Sequence, residues 1–250
     1  MQVRWLTALL DFPGDPPGLF ERGCSFWQAV TATTLSPPRG RSGEFVTLVP
    51  LAGNAFVRAQ RTRALRAGCH LDVHVDDVER GTERALSLGA LPPTGGGRLG
   101  LRSPGGLAFC LVHDGGESQR PPPCAWPGGA RSLVDQLCID VPPAAFDAEP
   151  EFWAALTSWG LRPGSRPEFR YLARPVGIPL RLLFQRLDKA EGEQGRGHLD
   201  LACDDVAAEC QRHLALGASL VRQMPNWTTL VDPTGLEYCV TRRDPTTGTL

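Results

Sequence analysis

The octet "HLDVHVDD" begins at His70, and a near copy, "HLDLACDD", begins at His198, 128 residues later. The likeness continues in register: "VERGTERALSLGA" follows the first octet and "VAAECQRHLALGA" the second. Each copy then ends in a similar segment, "SPGGLAFCLV" or "DPTGLEYCVT". The interval from the histidine to the late cysteine is 40 residues in the first copy, His70 to Cys110, and 41 in the second, His198 to Cys239. A repeat this long restricts the chain to folds that use one supersecondary unit more than once.

The repeated unit has a local physical reading. "HLDLAC" alternates, so His198, Asp200 and Ala202 take one face of a strand while Leu199, Leu201 and Cys203 take the other. Asp205 is placed to cap the helix that follows, and Val206, Cys210 and Leu214 recur at helical spacing. Gly217 ends that helix. Asp77 and Gly89 hold the same places in the first copy, and "SPGG" and "DPTG" read as turns before a last strand. A second kind of half-unit precedes each octet. "SLVDQLCIDVPP", "EFWAALTSWG" and "FRYLARPVGIPLRLLFQRL" read as strand, helix and a strand pair turning near Gly177. "RWLTALLDF", "SFWQAVTA", "EFVTLVP" and "NAFVRAQRT" repeat that order upstream. The reading is an α+β chain of four βαβ-type half-units in two pairs. The boundaries are 1–115 and 132–245, joined by a Pro/Gly-rich stretch at 116–131 without periodicity.

Composition excludes several classes. With 250 residues and a formal net charge of −1, the chain has no basic field to hold nucleic acid. No apolar run approaches the roughly 20 residues that span a bilayer, and the N-terminus lacks the apolar core of a signal peptide. Eight cysteines occur without a C-x-x-C pair, as expected for reduced, buried thiols in a cytoplasm. Lys189 is the sole lysine among 26 basic residues. That is the codon bias of a GC-rich bacterial genome, and Lys189 lies in a polar stretch unsuited to Schiff-base chemistry. No G-x-S-x-G elbow or P-loop is present, and "PPTGGGRLG" does not open a helix.

Four half-units together with "FWAALTSWG", "HLDLACDDVAAECQRHLALGA" and "DPTGLEYCV" resemble the vicinal oxygen chelate superfamily, nearest its glyoxalase-like and bleomycin-resistance-like branch. The resemblance is most specific over residues 132–243. It implies βαβββ modules paired into two tandem domains with curled mixed sheets. It also implies that inward side chains on the first and last strands of a module can hold a divalent metal. Carried to the second domain, the positions are Gln136, His198 and Glu237, one nitrogen and two oxygen donors. Asp200 shares the face of His198, about 6.6 Å along the strand, and is placed to support it or to meet a ligand. Trp227 in "MPNWTTLVDP" enters a late strand and can stack on a planar ligand or pack in the core.

The first domain departs from this pattern. Ala108 stands where the second domain has Glu237, and the counterpart of Gln136 falls near Trp5. His70, Asp72 and His74 share a face, but His70 and His74 would lie about 13 Å apart, too far to share one ion. A degenerate supporting domain is therefore expected. Arg58, Arg61, Arg63 and Arg66 read as a solvated run, and Trp153 and Trp159 as helical core residues.

Two functions stay open. One is a metal-free small-molecule binder, with an aromatic or antibiotic-like ligand in the second domain. The alternative is a metal-dependent lyase, isomerase or dioxygenase using Gln136, His198 and Glu237. The resemblance further implies a monomer whose domains pair within one chain.

Overall fold

The computed structural model describes residues 1–93, 100–188 and 195–249. Lys189 and most of "PPTGGGRLG" lie outside them. In chain order the first half holds β1 (Val3–Pro13), α1 (Leu19–Thr31), β2 (Thr34–Leu35), β3 (Phe45–Val49), β4 (Val57–Thr62), β5 (Gly68–Val75), α2 (Val78–Ser87), β6 (Leu101–Arg102) and β7 (Ala108–His113). The second half begins with β8 (Cys124–Ala125), β9 (Arg131–Val141), α3 (Ala148–Thr157), β10 (Leu161–Pro163), β11 (Phe169–Leu172) and β12 (Arg181–Arg186). It ends with β13 (Arg196–Cys203), α4 (Val206–Ala215), β14 (Ser219–Gln223), β15 (Trp227–Val231) and β16 (Glu237–Thr241).

The strands form two open, mixed sheets, so the fold is α+β. The first runs β2-β3-β4-β1-β5-β7-β6 and the second β10-β11-β12-β9-β13-β16-β15-β14, with β8 added on β9. The first seven strands of the two orders correspond, as the sequence repeat requires, and β14 and β8 are additions of the second sheet. β1 and β9 are buried along nearly their whole length, and their near-continuous apolar runs suit central strands covered on both faces.

The helix boundaries follow from side-chain chemistry. Asp77 Oδ1 accepts from the Arg80 N–H at 2.9 Å and Asp205 Oδ1 from the Ala208 N–H at 3.0 Å, the N-cap bonds expected of both copies. Gly89 and Gly217 both lie at φ 102°, where a side chain would be strained, and they end α2 and α4. Trp159 lies beyond the end of α3, which stops at Thr157 with Ser158 in the left-handed region, so only Trp153 of the two tryptophans is helical core. The Pro/Gly-rich stretch is more structured than its composition suggests. It contributes β8, and Trp126 donates from Nε1 to Ser132 Oγ at 2.8 Å while the Arg212 guanidinium stacks 3.5 Å over its ring.

Tertiary contacts divide the chain into two compact units: residues 1–8, 69–119 and 137–197, and residues 9–68, 120–136 and 198–250. In the first unit, Phe152 and Trp153 of α3 meet Phe109 of β7 edge to face at 5.8 and 5.0 Å. In the second, Phe26 and Trp27 of α1 meet Tyr238 of β16 at 5.9 and 5.1 Å. Phe109 and Tyr238 are matching positions of the repeat, so each unit closes its core on the same kind of aromatic contact.

Candidate functional site

The site lies on one face of β13, β16, β15 and β9 in the second unit. β13 and β16 run parallel with Asp200 beside Cys239 and Leu201 beside Val240. Residues paired in this way point to the same side of the sheet. The face of Leu201, Tyr238 and Val240 is buried, and Tyr238 packs there against α1 and α4. The opposite face carries His198, Asp200, Cys239 and Glu237. Glu237, two residues before Cys239 on β16, shares its face of the sheet.

Three donors converge here. His198, Asp200 and Cys239 each offer one atom, all within 4.8 Å of one another. His198 Nε2 lies 3.3 Å from Asp200 Oδ1 and 3.7 Å from Cys239 Sγ. Asp200 is 4% exposed, and its Oδ1 accepts no hydrogen bond among the described residues. Its Oδ2 accepts from the Gln136 amide, which is itself buried. Burial pushes the Cys239 thiol above its ordinary value, with Thr229 Oγ1 3.5 Å from the sulfur. An imidazole nitrogen, a carboxylate with an unsatisfied oxygen and a thiol make a donor set suited to a borderline-soft divalent cation.

Gln136, His198 and Glu237 thus occupy distinct places. Gln136 turns its amide N–H to Asp200, His198 stands at the centre, and Glu237 is half-buried at the start of β16. β15 pairs with β16 so that Thr229 faces Cys239 and Trp227 faces Thr241. Trp227 therefore shares the site face, one inward step from Thr229, and is half-buried. Cys239 stands among these donors although the sequence reading did not name it, and the repeat shows the late cysteine recurring with the histidine and the aspartate.

In the first unit, Asp72 lies beside Cys110 on the parallel pair β5 and β7. Aligned on "LDFP" and "IDVP", Thr7 rather than Trp5 stands where β9 has Gln136. Trp5 is fully buried, while Thr7 Oγ1 lies 2.9 Å from His74 Nε2. His74 also has Glu117 3.5 Å from its Nδ1. Within the arginine run, Arg61 bonds Glu21 at 2.9 Å and covers the Phe20 ring. All eight cysteines are unbridged and at least half-buried.

Two open sheets of repeated modules of one strand, one helix and two or three further strands, each with polar side chains from neighbouring first and last strands on one face, define a tandem-module α+β protein. Residues 19–112 and 136–241 match the model of the glyoxalase-like domain, and the chain belongs to that family. Its fold is shared, at low identity, with dioxygenases and a synthase of known structure. The 2,3-dioxygenase LapB from a Pseudomonas species is 13% identical with a TM-score of 0.62, over 96% of this chain and 92% of that one. The 2,2',3-trihydroxybiphenyl 1,2-dioxygenase of Sphingomonas wittichii is 15% identical with a TM-score of 0.61, over 96% and 90%. A variant of 4-hydroxymandelate synthase from Streptomyces coelicolor is 15% identical with a TM-score of 0.56, over 99% and 94%. No curated protein sequence gives a significant match. No described helix is long and apolar enough to cross a membrane.

Proposed function

We propose that the chain binds a small planar molecule over the site face of the second sheet, beside a divalent cation held by His198, Asp200 and Cys239. The single observation that carries this reading is Asp200: a buried carboxylate oxygen that accepts no hydrogen bond, in ion-pair range of His198. A buried carboxylate without a full set of hydrogen-bond partners is costly, and a cation meets that need. When bound, such an ion polarises a ligand oxygen as a Lewis acid. Gln136 positions the Asp200 carboxylate. Glu237 shares the face of His198 and Cys239, and its role there is to meet a ligand or complete the donor set. Trp227 offers an aromatic face to a planar ligand.

A second reading makes the same site catalytic, as a metal-dependent lyase, isomerase or dioxygenase. It is favoured by the structures that share the fold, which include dioxygenases and a synthase. His198, whose side chain is 13% exposed, is the donor within reach of a ligand.

The test is titration of metal-stripped, reduced protein with Co(II), read by absorption, followed by thermal-shift screening of planar ligands with and without the metal. The wild type is expected to show a thiolate-to-metal band that weakens in Cys239→Ser, with the corresponding Co(II) equivalent lost in Asp200→Asn and weakened in Glu237→Ala. Metal binding untouched by Cys239→Ser and Asp200→Asn sinks the reading.

A further inference from the structure

We infer that the first sheet carries a second cation site, formed by His70, Asp72 and Cys110, that takes a thiophilic divalent ion such as Zn(II). The three residues each present a donor atom, all within 4.8 Å of one another. Asp72 and Cys110 are paired across the parallel strands β5 and β7, as Asp200 and Cys239 are across β13 and β16. His70 Nε2 stands 3.9 Å from Asp72 Oδ1, and the two side chains are 13% and 10% exposed. Metal bonds of about 2.0–2.3 Å bring tetrahedral donors to within roughly 4 Å of each other, so modest side-chain rotation closes this set on one ion.

The repeat supplies an independent argument. Around these strands the two copies have diverged at the polar positions of the same face. His74 answers to Ala202, Ala108 to Glu237 and Thr7 to Gln136. The histidine, the aspartate and the cysteine are the same in both. A merely wet sheet face needs no such trio. A hydrogen-bonding pair of strands would tolerate Ser, Thr or Asn at each place, whereas a soft cation selects the sulfur and the imidazole together. His74 stays outside the set, held by Thr7 and Glu117.

The chemistry differs from that of the second sheet. With Asp72 ionised and Cys110 deprotonated on binding, the donors balance the charge of a divalent ion. The released thiol proton goes to solvent. Ala108 stands on β7 where β16 has Glu237, so this site retains an ion without that extra acid. It is a site for holding metal, and its residues are complete within the first unit. The donor analogy rests on the reading of the second sheet, but the two sites separate experimentally.

The experiment is the Co(II) and Zn(II) stoichiometry of the full chain after chelator treatment under reducing conditions. Two equivalents are expected for wild type, one for Cys110→Ser, one for Cys239→Ser and none for the double variant, with the thiolate band about halved in each single variant. Asp72→Asn serves as the second variant, expected to lose the same equivalent as Cys110→Ser. Peptide mapping after alkylation adds a direct readout, with Zn(II) shielding Cys110. Two equivalents retained in both Cys110→Ser and Asp72→Asn, or a single equivalent that Cys239→Ser alone removes, overturns the first site while sparing the second. A single equivalent removed only by Cys110→Ser overturns the reading of the second sheet instead. No bound metal in wild type overturns both.

Discussion

Glu209 on α4 shows how a single carboxylate is managed in the second unit. Burial alone would raise it, but hydrogen bonds from His213 and from the Arg212 guanidinium outweigh that penalty and hold it at about 2, against an ordinary 4.5. His213 is fully buried and pushed below its ordinary 6.5, chiefly by desolvation. Its Nδ1 lies 3.0 Å from the Tyr238 hydroxyl. Both folded-state values are depressed, so both groups add stability above their unfolded values and lose it as pH falls through the folded ones. The melting temperature is therefore expected to be flat above about pH 7 and to fall on acidification, first from His213 and then, below about pH 4.5, from Glu209. The Glu209 contribution is on the order of 3 kcal/mol. In Glu209→Gln the decline between about pH 5 and 3 should be shallower than in wild type. Equal slopes for the two proteins would remove Glu209 from this role.

At the scale of elements, the two units hold their helices by matching but not identical means. Trp27 of α1 donates to Asp232 Oδ2 at 2.9 Å, in the "DPTG" turn. In the first unit the matching turn residue is Ser103, and the carboxylate has moved to the helix. Glu149 of α3 accepts from Ser103 Oγ, the Gly105 N–H and Trp153 Nε1, and burial holds its carboxyl above the ordinary value. One acid thus bridges tryptophan and turn in each unit, from opposite sides of the contact. α1 carries a further constraint at Gly23, where an added Cβ would sit 2.7 Å from the Phe12 ring. Glycine to alanine inside a helix ordinarily stabilises by about 1 kcal/mol. Here the clash with a fully buried ring should reverse the sign, to a loss of about 1–3 kcal/mol. Denaturant unfolding of Gly23→Ala checks it, and a gain in stability would show that Phe12 has room to move.

At the scale of the whole molecule, four modules on one chain hold one another at an effective concentration of about millimolar. A monomer is therefore the predicted state. Sedimentation velocity at micromolar protein checks this, and a tight homodimer contradicts it.

Much of the architecture was legible from local signals. The alternation in "HLDLAC", the aspartate caps and the terminal glycines act within a few residues of themselves, so the repeat made most of the elements and their order legible, though not β8. Parity along β13 and β16 likewise placed His198, Asp200 and Glu237 on one face. What the tertiary structure decided is everything set by register between distant strands. Only the parallel pairing brings Cys239 level with Asp200, and Cys110 level with Asp72. Only packing turns the Gln136 amide to a neighbour's carboxylate, places Trp159 past its helix end, and closes α1 on β16 and α3 on β7. Sequence periodicity specifies which way a side chain points along its own strand. It carries no information on which residue of another strand stands opposite, and that is where a donor set is made.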